Sequence, residues 1–316
     1  MSQLRMRELA KGIVTHVPVV GAYACRSSGG TVSARYCYGV WMRHLVRAAE
    51  AGLDTSPRAV AELGPGDSFG IGLAAVLSGA DRYSAFDAKP HAHPEQNLQV
   101  FEELVGLFQR RERIPDQSEF PNTFPVLASY DFPSGLLRDA RLTRSLDAAR
   151  LDLIRAALRG TAPADAAIRI SYAAPWDATT RIEPGTIDMA LSQAVLEHVE
   201  DVPNTYKALH RWIRPGGFMS HSIDFKSHGL TTDWNGHWTV GDGLWRIARG
   251  NRPYLINRLP YSVHLAAMKD AGFTVVAETP RYLSALPRAA LAERFRGLTD
   301  DDLRISGVFV QAQSSR

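Results

Sequence analysis

The stretch that most constrains this chain is Ala59–Gly72, which reads Ala-Val-Ala-Glu-Leu-Gly-Pro-Gly-Asp-Ser-Phe-Gly-Ile-Gly. Ala59 to Leu63 has the character of a short buried strand, Gly64-Pro65-Gly66 turns the chain sharply, and Ser68 to Leu77 continues as an apolar, helix-like segment. Glycine suits such a turn for two reasons: a ligand can approach the backbone, and positive φ carries little strain.

Three chemistries can use a strand, glycine turn and helix of this kind. Dinucleotide binding needs a third glycine where Phe69 stands, and it would set Asp67 against a pyrophosphate at a helix N-terminus. Gly66-Asp67-Ser68-Phe69-Gly70 spells the G-x-S-x-G elbow of a serine hydrolase, with Ser68 as nucleophile. S-adenosylmethionine is cationic, so Glu62 and Asp67 favour it by charge. That last reading requires a further acid about 20 residues on, to accept hydrogen bonds from ribose hydroxyls.

Arg82 to Phe86 is a strand-like run closing on Asp87, and it meets the requirement. Thr186 to Ser192 reads as another buried strand, followed by Gln193-Ala-Val-Leu-Glu-His-Val199 and then by Arg214-Pro-Gly-Gly-Phe218. With these four features in order, the chain resembles the class I S-adenosylmethionine-dependent methyltransferases over residues 58 to 312. The matching motifs are E-x-G-x-G, the strand-end acid, a "LEHV" helix after the fourth strand and an "RPGG" turn before the fifth. Ser68 stands where the family often has a third glycine. The resemblance implies an α/β Rossmann-like fold, a seven-stranded, mostly parallel sheet with helices on both faces and an antiparallel hairpin of the last two strands. Residues 1–57 are then an N-terminal helical extension or cofactor lid. Residues 58–316 form the methyltransferase domain, with insertions at about 90–165 and 225–262.

Length and composition allow one enlarged domain or two. The 316 residues are 45% hydrophobic and 22% charged, enough for a full core. Thirty-six basic residues against 33 acidic ones, with no basic block, imply no nucleic-acid partner. Cys25 and Cys37 form no C-x-x-C pair, which argues against a disulfide scaffold or a cysteine metal site. Arg5, Arg7 and Lys11 precede an apolar stretch to Cys25 that outlines a signal peptide, but His16 and Pro18 interrupt it and Glu8 lies among the charges. The expectation is a cytoplasmic protein with no membrane span. His91-Ala-His93, with Glu95 close by, looks like a metal pair and is read as a solvated loop. The segment at about 90–165 is read as a cap or an element of a homo-oligomer.

By resemblance, the cofactor-binding residues are Glu62, Gly64, Pro65, Gly66, Asp67, Ser68 and Asp87, with Trp176 and Asp177 near adenine and Ser192 and Gln193 at the ligand crevice. Tyr36 and Tyr38, on a helix over Ser33–Ala51, are further candidates for ligand contact, and Asp188 is structural. His198 is a candidate for cofactor positioning or general base. From the fifth strand, Phe218 to Asp224, onward, His221, Asp224, His228, Asp233 and His237 crowd into seventeen residues. Asp224 and His228 could act as a base with its orienting carboxylate, or could bind a divalent ion with Asp233. His221, Asp233, His237, Arg258 and Tyr261 are the expected acceptor contacts, Arg258 by holding a phosphate or carboxylate. The Asp224-to-His228 spacing, Asn257-Arg258 and "AGF" are similar to a bacterial subgroup associated with glycan and surface-polysaccharide biosynthesis. O-methylation of a sugar or glycan-precursor hydroxyl is the function this implies. The other readings are methylation of a natural product or quinone-like acceptor, a serine hydrolase, and a non-catalytic cofactor-binding partner protein.

Overall fold

The computed structural model describes residues 4–16, 30–176, 182–252 and 255–315. Seven strands form one sheet: β1 (Ala59–Leu63), β2 (Arg82–Phe86), β3 (Arg169–Ala173), β4 (Ile187–Gln193), β5 (Ile213–Asp224), β6 (Phe273–Tyr282) and β7 (Ile305–Ser314). Their order is β3-β2-β1-β4-β5-β7-β6, parallel except that β7 runs antiparallel to both neighbours. The expected Rossmann-like sheet with its terminal antiparallel hairpin is therefore present.

Period-two alternation along the strands divides the core between two faces. On one face Val60, Tyr83, Leu191 and Phe218 pack against α2 (Ala34–Glu50), α3 (Gly70–Leu77), α4 (Pro94–Gln109) and α6 (Ala148–Leu158). On the other, Ala61, Leu63, Ala190 and Met219 pack against α7 (Val202–Trp212) and α9 (Tyr261–Asp270). Polar caps mark the helix starts: Ser33 accepts the amide of Tyr36, Asp147 those of Ala149 and Arg150, and Asp201 that of Asn204. Asp188 is structural, as expected. Its carboxylate accepts the amides of Arg58 and Ala59 and pairs with Arg214 Nε at 2.5 Å, which ties the start of β1 to β4 and β5.

Three local features differ from the sequence reading. The "LEHV" segment is a single 3₁₀ turn, Leu196–His198, and the true helix α7 begins at Val202. Ala194 enters that turn at φ +54°, a left-handed conformation that stops a helix starting there. The "RPGG" segment lies inside β5, with Gly216 at φ +73° where the pairing with β4 shifts register. The N-terminal region divides into separate parts instead of forming one lid. Helix α2 is a core layer, with Trp41 and Met42 fully buried.

Helix α1 (Met6–Val14) instead packs on α8 (Asp242–Arg249) within the segment joining β5 to α9. A Cβ at Gly12 would stand 2.1 Å from the Ile247 carbonyl oxygen, so the two backbones touch there. Glu8 is buried against Arg252, with Nη1 at 2.7 Å, and fastens the same contact. Between β2 and β3, besides α4 and α6, lies the short α5 (Asp139–Ser145). The preceding loop wraps α2, whose buried Arg43 donates to the carbonyls of Pro115 and Pro125. Among the described residues no helix is long and apolar enough to cross a membrane.

Candidate active site

Register places the carboxyl ends of the central strands together. Leu63, Phe86 and Ser192 are mutually in register, and Ser192 and Gln193 pair with His221 and Ser222 of β5. Ligands bind at this edge in open α/β sheets. At its centre, Gly64 and Gly66 have φ of +65° and +73°, which other residues adopt only with strain. The Gly64 amide donates to Phe86 O at 2.7 Å, closing the turn onto β2.

The turn is backed by the loop before α2. Thr31 Oγ1 donates to Pro65 O (2.8 Å) and accepts the Ser68 amide (3.0 Å). The Ser68 hydroxyl donates to Thr31 O at 2.5 Å and is buried, so it is a brace and not an exposed nucleophile, which removes the geometry a hydrolase elbow needs. Asp67 Oδ2 accepts the Gly30 amide at 3.0 Å. Glu62, 1% exposed, accepts from Tyr83 Oη at 2.5 Å and from the Gly72 amide at 3.1 Å. Burial pushes its carboxyl up to about 7, against the pull of those two bonds. Asp87 follows β2 directly. Its carboxylate accepts the Ala88 amide at 2.7 Å and lies 3.4 Å from the Gly66 amide. Burial raises its pKa, and those amides oppose the rise.

Trp176 packs edge-on to Phe86 and Trp212, with its backbone amide bonded to Asp87 O. Asp177 lies outside the described residues. Ser192 is not open to the crevice, because its hydroxyl is bonded to His221 Nδ1 at 2.8 Å and fully buried. Gln193 is half-buried at the strand end, close to the Tyr36 side chain. Tyr38 faces away and donates to Glu112 O.

A second group of side chains lies next to this turn. Val195, which leads into the Leu196–His198 turn, is seated on Gly64; a Cβ on that glycine would come within 2.5 Å of Val195 Cγ2. Asn257 clamps the turn from outside, donating its amide to Glu197 O (2.6 Å) and its Nδ2 to the carbonyls of Leu196 and Val199. The turn brings Glu197 and His198 to His228, whose Nε2 is 3.8 Å from both Glu197 Oε1 and Asp224 Oδ2. The His198 and His228 rings meet edge to face at 5.0 Å. Asp224 is held by the Lys226 amide at 2.8 Å and by Lys226 Nζ at 3.1 Å.

Glu197 is 2% exposed, and neither carboxylate oxygen has a hydrogen-bond partner. Burial drives its pKa well up, although its own amide and that of Asp224 lie near enough to pull weakly the other way. His228 is pushed below the ordinary imidazole value by burial of its ring, partly countered by Asp224. It holds φ +49°, an uncommon conformation for a residue other than glycine.

The expected acceptor contacts are largely engaged elsewhere. His221 points into the α7 and α9 face and is held by Ser192. Arg258 is buried between Trp245 and Phe295 and donates to Asp242 and Val240 O, so its guanidinium has no room for an acceptor anion. The Tyr261 hydroxyl donates to Glu278 at 2.5 Å on β6. Asp233 accepts the Ser227 and Thr231 hydroxyls at its backbone carbonyl and the Thr232 hydroxyl at its carboxylate, and does not join the histidines. His237 and Arg258 border the cluster, lining one small cavity with Glu197, Asp224 and Lys226. Glu197 and Asn257 are the residues that sequence reasoning left out of the site. Both stand inside motifs quoted from the sequence, which gives no local signal that Glu197 turns inward.

Residues 146–220, running from the end of α5 into β5, match the family model described as a methyltransferase domain. The match spans 75 of the 316 residues, and with the strand order it supports a methyltransferase that uses S-adenosylmethionine. Its turn suits that cofactor: two buried carboxylates, Glu62 and Asp87, flank bare backbone at Gly64 and Gly66, as a cation carrying vicinal hydroxyls requires. Among curated proteins none matches the enzyme.

Solved structures similar to the enzyme include an S-adenosylmethionine-dependent methyltransferase from Mesorhizobium loti, 16% identical over 82% of this chain and 91% of that one, with a TM-score of 0.40. A second, from Methanosarcina mazei, is 12% identical over 84% and 96%, with a TM-score of 0.40. The phosphoethanolamine N-methyltransferase 2 of Haemonchus contortus is 14% identical over 87% of this chain and 53% of its own, with a TM-score of 0.43. These are distant likenesses and assign no acceptor.

Proposed function

We propose that the enzyme methylates a hydroxyl oxygen of a sugar or glycan precursor, with the acceptor held at the cluster of Glu197, His198, Asp224 and His228. The observation that carries this reading is the placement of that cluster, reached through Val195 from the glycine turn itself. When bound, S-adenosylmethionine supplies an electrophilic methyl whose transfer leaves neutral S-adenosylhomocysteine. Asp87 accepts hydrogen bonds from the ribose hydroxyls, and the Gly64–Gly66 backbone lies against the cofactor. Gln193 and Tyr36 close the crevice on the α2 side.

An aliphatic hydroxyl is a poor nucleophile until its proton is withdrawn, and a thiol or unprotonated amine has less need of that help. Titratable groups gathered beside the turn therefore speak for oxygen as the acceptor atom. The resemblance to the glycan-associated subgroup speaks for a sugar. Remaining tasks are alignment of the nucleophile and exclusion of water.

The test is product analysis with methyl-labelled S-adenosylmethionine and a panel of sugar nucleotides, phenols and amines. Label recovered as an alkali-stable methyl ether on a sugar is the expected result. Label found on nitrogen or carbon, with none on sugars, would overturn the proposal.

A further inference from the structure

We infer that Glu197, His198 and His228 form a binding site for one divalent first-row transition ion beside the acceptor position. The site itself stands on geometry; its role in catalysis rests on the hydroxyl-methylation reading above. One donor atom from each of the three residues lies within 4.8 Å of the others. Two imidazoles and a carboxylate are the donor set that zinc, iron, cobalt and manganese share.

The second observation is Glu197. It is 2% exposed and neither carboxylate oxygen has a hydrogen-bond partner. A buried carboxyl left without partners costs free energy, and a cation is the group that would satisfy it here. His228 Nε2 already stands 3.8 Å from Glu197 Oε1. Tetrahedral coordination would set donor atoms about 3.3 Å apart, so the site closes by modest movement.

The surroundings fit a metal centre. Asn257 fixes the turn that carries two of the ligands, and Asp224, itself pinned by Lys226, flanks His228. The His228 side chain is 33% exposed, which leaves an open side for the acceptor oxygen. The ligand set differs from the one read from sequence: the Asp233 carboxylate accepts the Thr232 hydroxyl, and Asp224, as near to His228 Nε2 as Glu197 is, is paired with Lys226.

A cation there lowers the pKa of the acceptor hydroxyl. Its proton passes to Asp224, the oxygen forms the new bond to the methyl carbon, and the electron pair of the breaking C–S bond remains on sulfur.

Chelator-treated full-length protein titrated with Co²⁺ is expected to bind one ion per chain and to develop visible d–d bands. Glu197→Gln, close in shape and uncharged, and His198→Ala should each weaken binding at least tenfold, whereas a His91→Ala, His93→Ala double variant should bind as the wild type does. Bands of wild-type strength and affinity in both Glu197→Gln and His198→Ala, or no Co²⁺ binding by the wild type, would overturn the site. Turnover lost on chelation and restored by Co²⁺ or Mn²⁺ supports the catalytic role; turnover indifferent to chelation overturns the role alone. Co²⁺ binding at these residues without any hydroxyl methylation overturns the acceptor reading and leaves the site intact.

Discussion

Lowering the pH from 7 to 5 is expected to destabilise the metal-free protein by a few kcal/mol. His44, His221, His237 and His264 are buried, and burial pushes each imidazole down to about 3. Each ring has one nitrogen with no hydrogen-bond partner, so a second proton would have nothing to donate to. Because the folded pKa lies below the unfolded one, the stability is complete above about pH 6.5 and is lost as the pH falls toward 3. At pH 5 the loss is about 2 kcal/mol for each ring, roughly 8 for the four.

Two buried carboxyls act in the opposite sense. Glu62, raised to about 7, returns about 2 kcal/mol over this interval. Glu197, also raised by burial, acts in the same direction. The net loss is a large part of the total stability of an ordinary domain. Denaturant unfolding at pH 7, 6 and 5 measures it directly. Equal stability at pH 7 and pH 5 would show that these rings take up protons in the folded state.

Replacing His228 by asparagine is expected to leave cofactor affinity unchanged and to lower turnover about 10²- to 10⁴-fold. Asparagine tolerates the left-handed backbone of this position better than alanine does, so the loop should keep its path. A non-glycine residue persists in such a conformation only where its surroundings over-determine it, and these positions gather at functional sites. The neighbouring Gly229, at φ +76°, could have carried the turn without a side chain. As a ligand of the proposed ion, His228 should take Co²⁺ binding down together with turnover, and Co²⁺ binding of wild-type strength in the variant would remove it from the metal site. Turnover within twofold of the wild type would remove His228 from the chemistry.

Much of the scaffold was legible in the sequence. β1 and β2 fall where their apolar runs placed them, and Gly64, Gly66 and Asp87 meet at one strand edge because the strand-turn-helix pattern fixes their direction. Side-chain direction beyond the strands was not legible. His221 looked like a residue leaving the sheet, yet it shares a face with Met219 and Ile223 and turns into the core beside Ser192. Arg258 and Tyr261 sit in the expected segment, but their partners, Asp242 and Glu278, come from elements whose docking no local pattern encodes. Glu197 was overlooked for a related reason. A helix through "LEHV" would turn an acid toward solvent, while the left-handed Ala194 and the 3₁₀ turn rotate it inward.

The central claim is that the Gly64–Gly66 turn and Asp87 hold S-adenosylmethionine, and calorimetric titration of the wild type and of Asp87→Ala tests it most directly. The account predicts micromolar binding of S-adenosylmethionine and S-adenosylhomocysteine by the wild type. It also predicts affinity weakened roughly 10- to 150-fold in the variant, the worth of charge-assisted hydrogen bonds to ribose. Absence of binding by the folded wild type, or equal affinity in the two proteins, would contradict it.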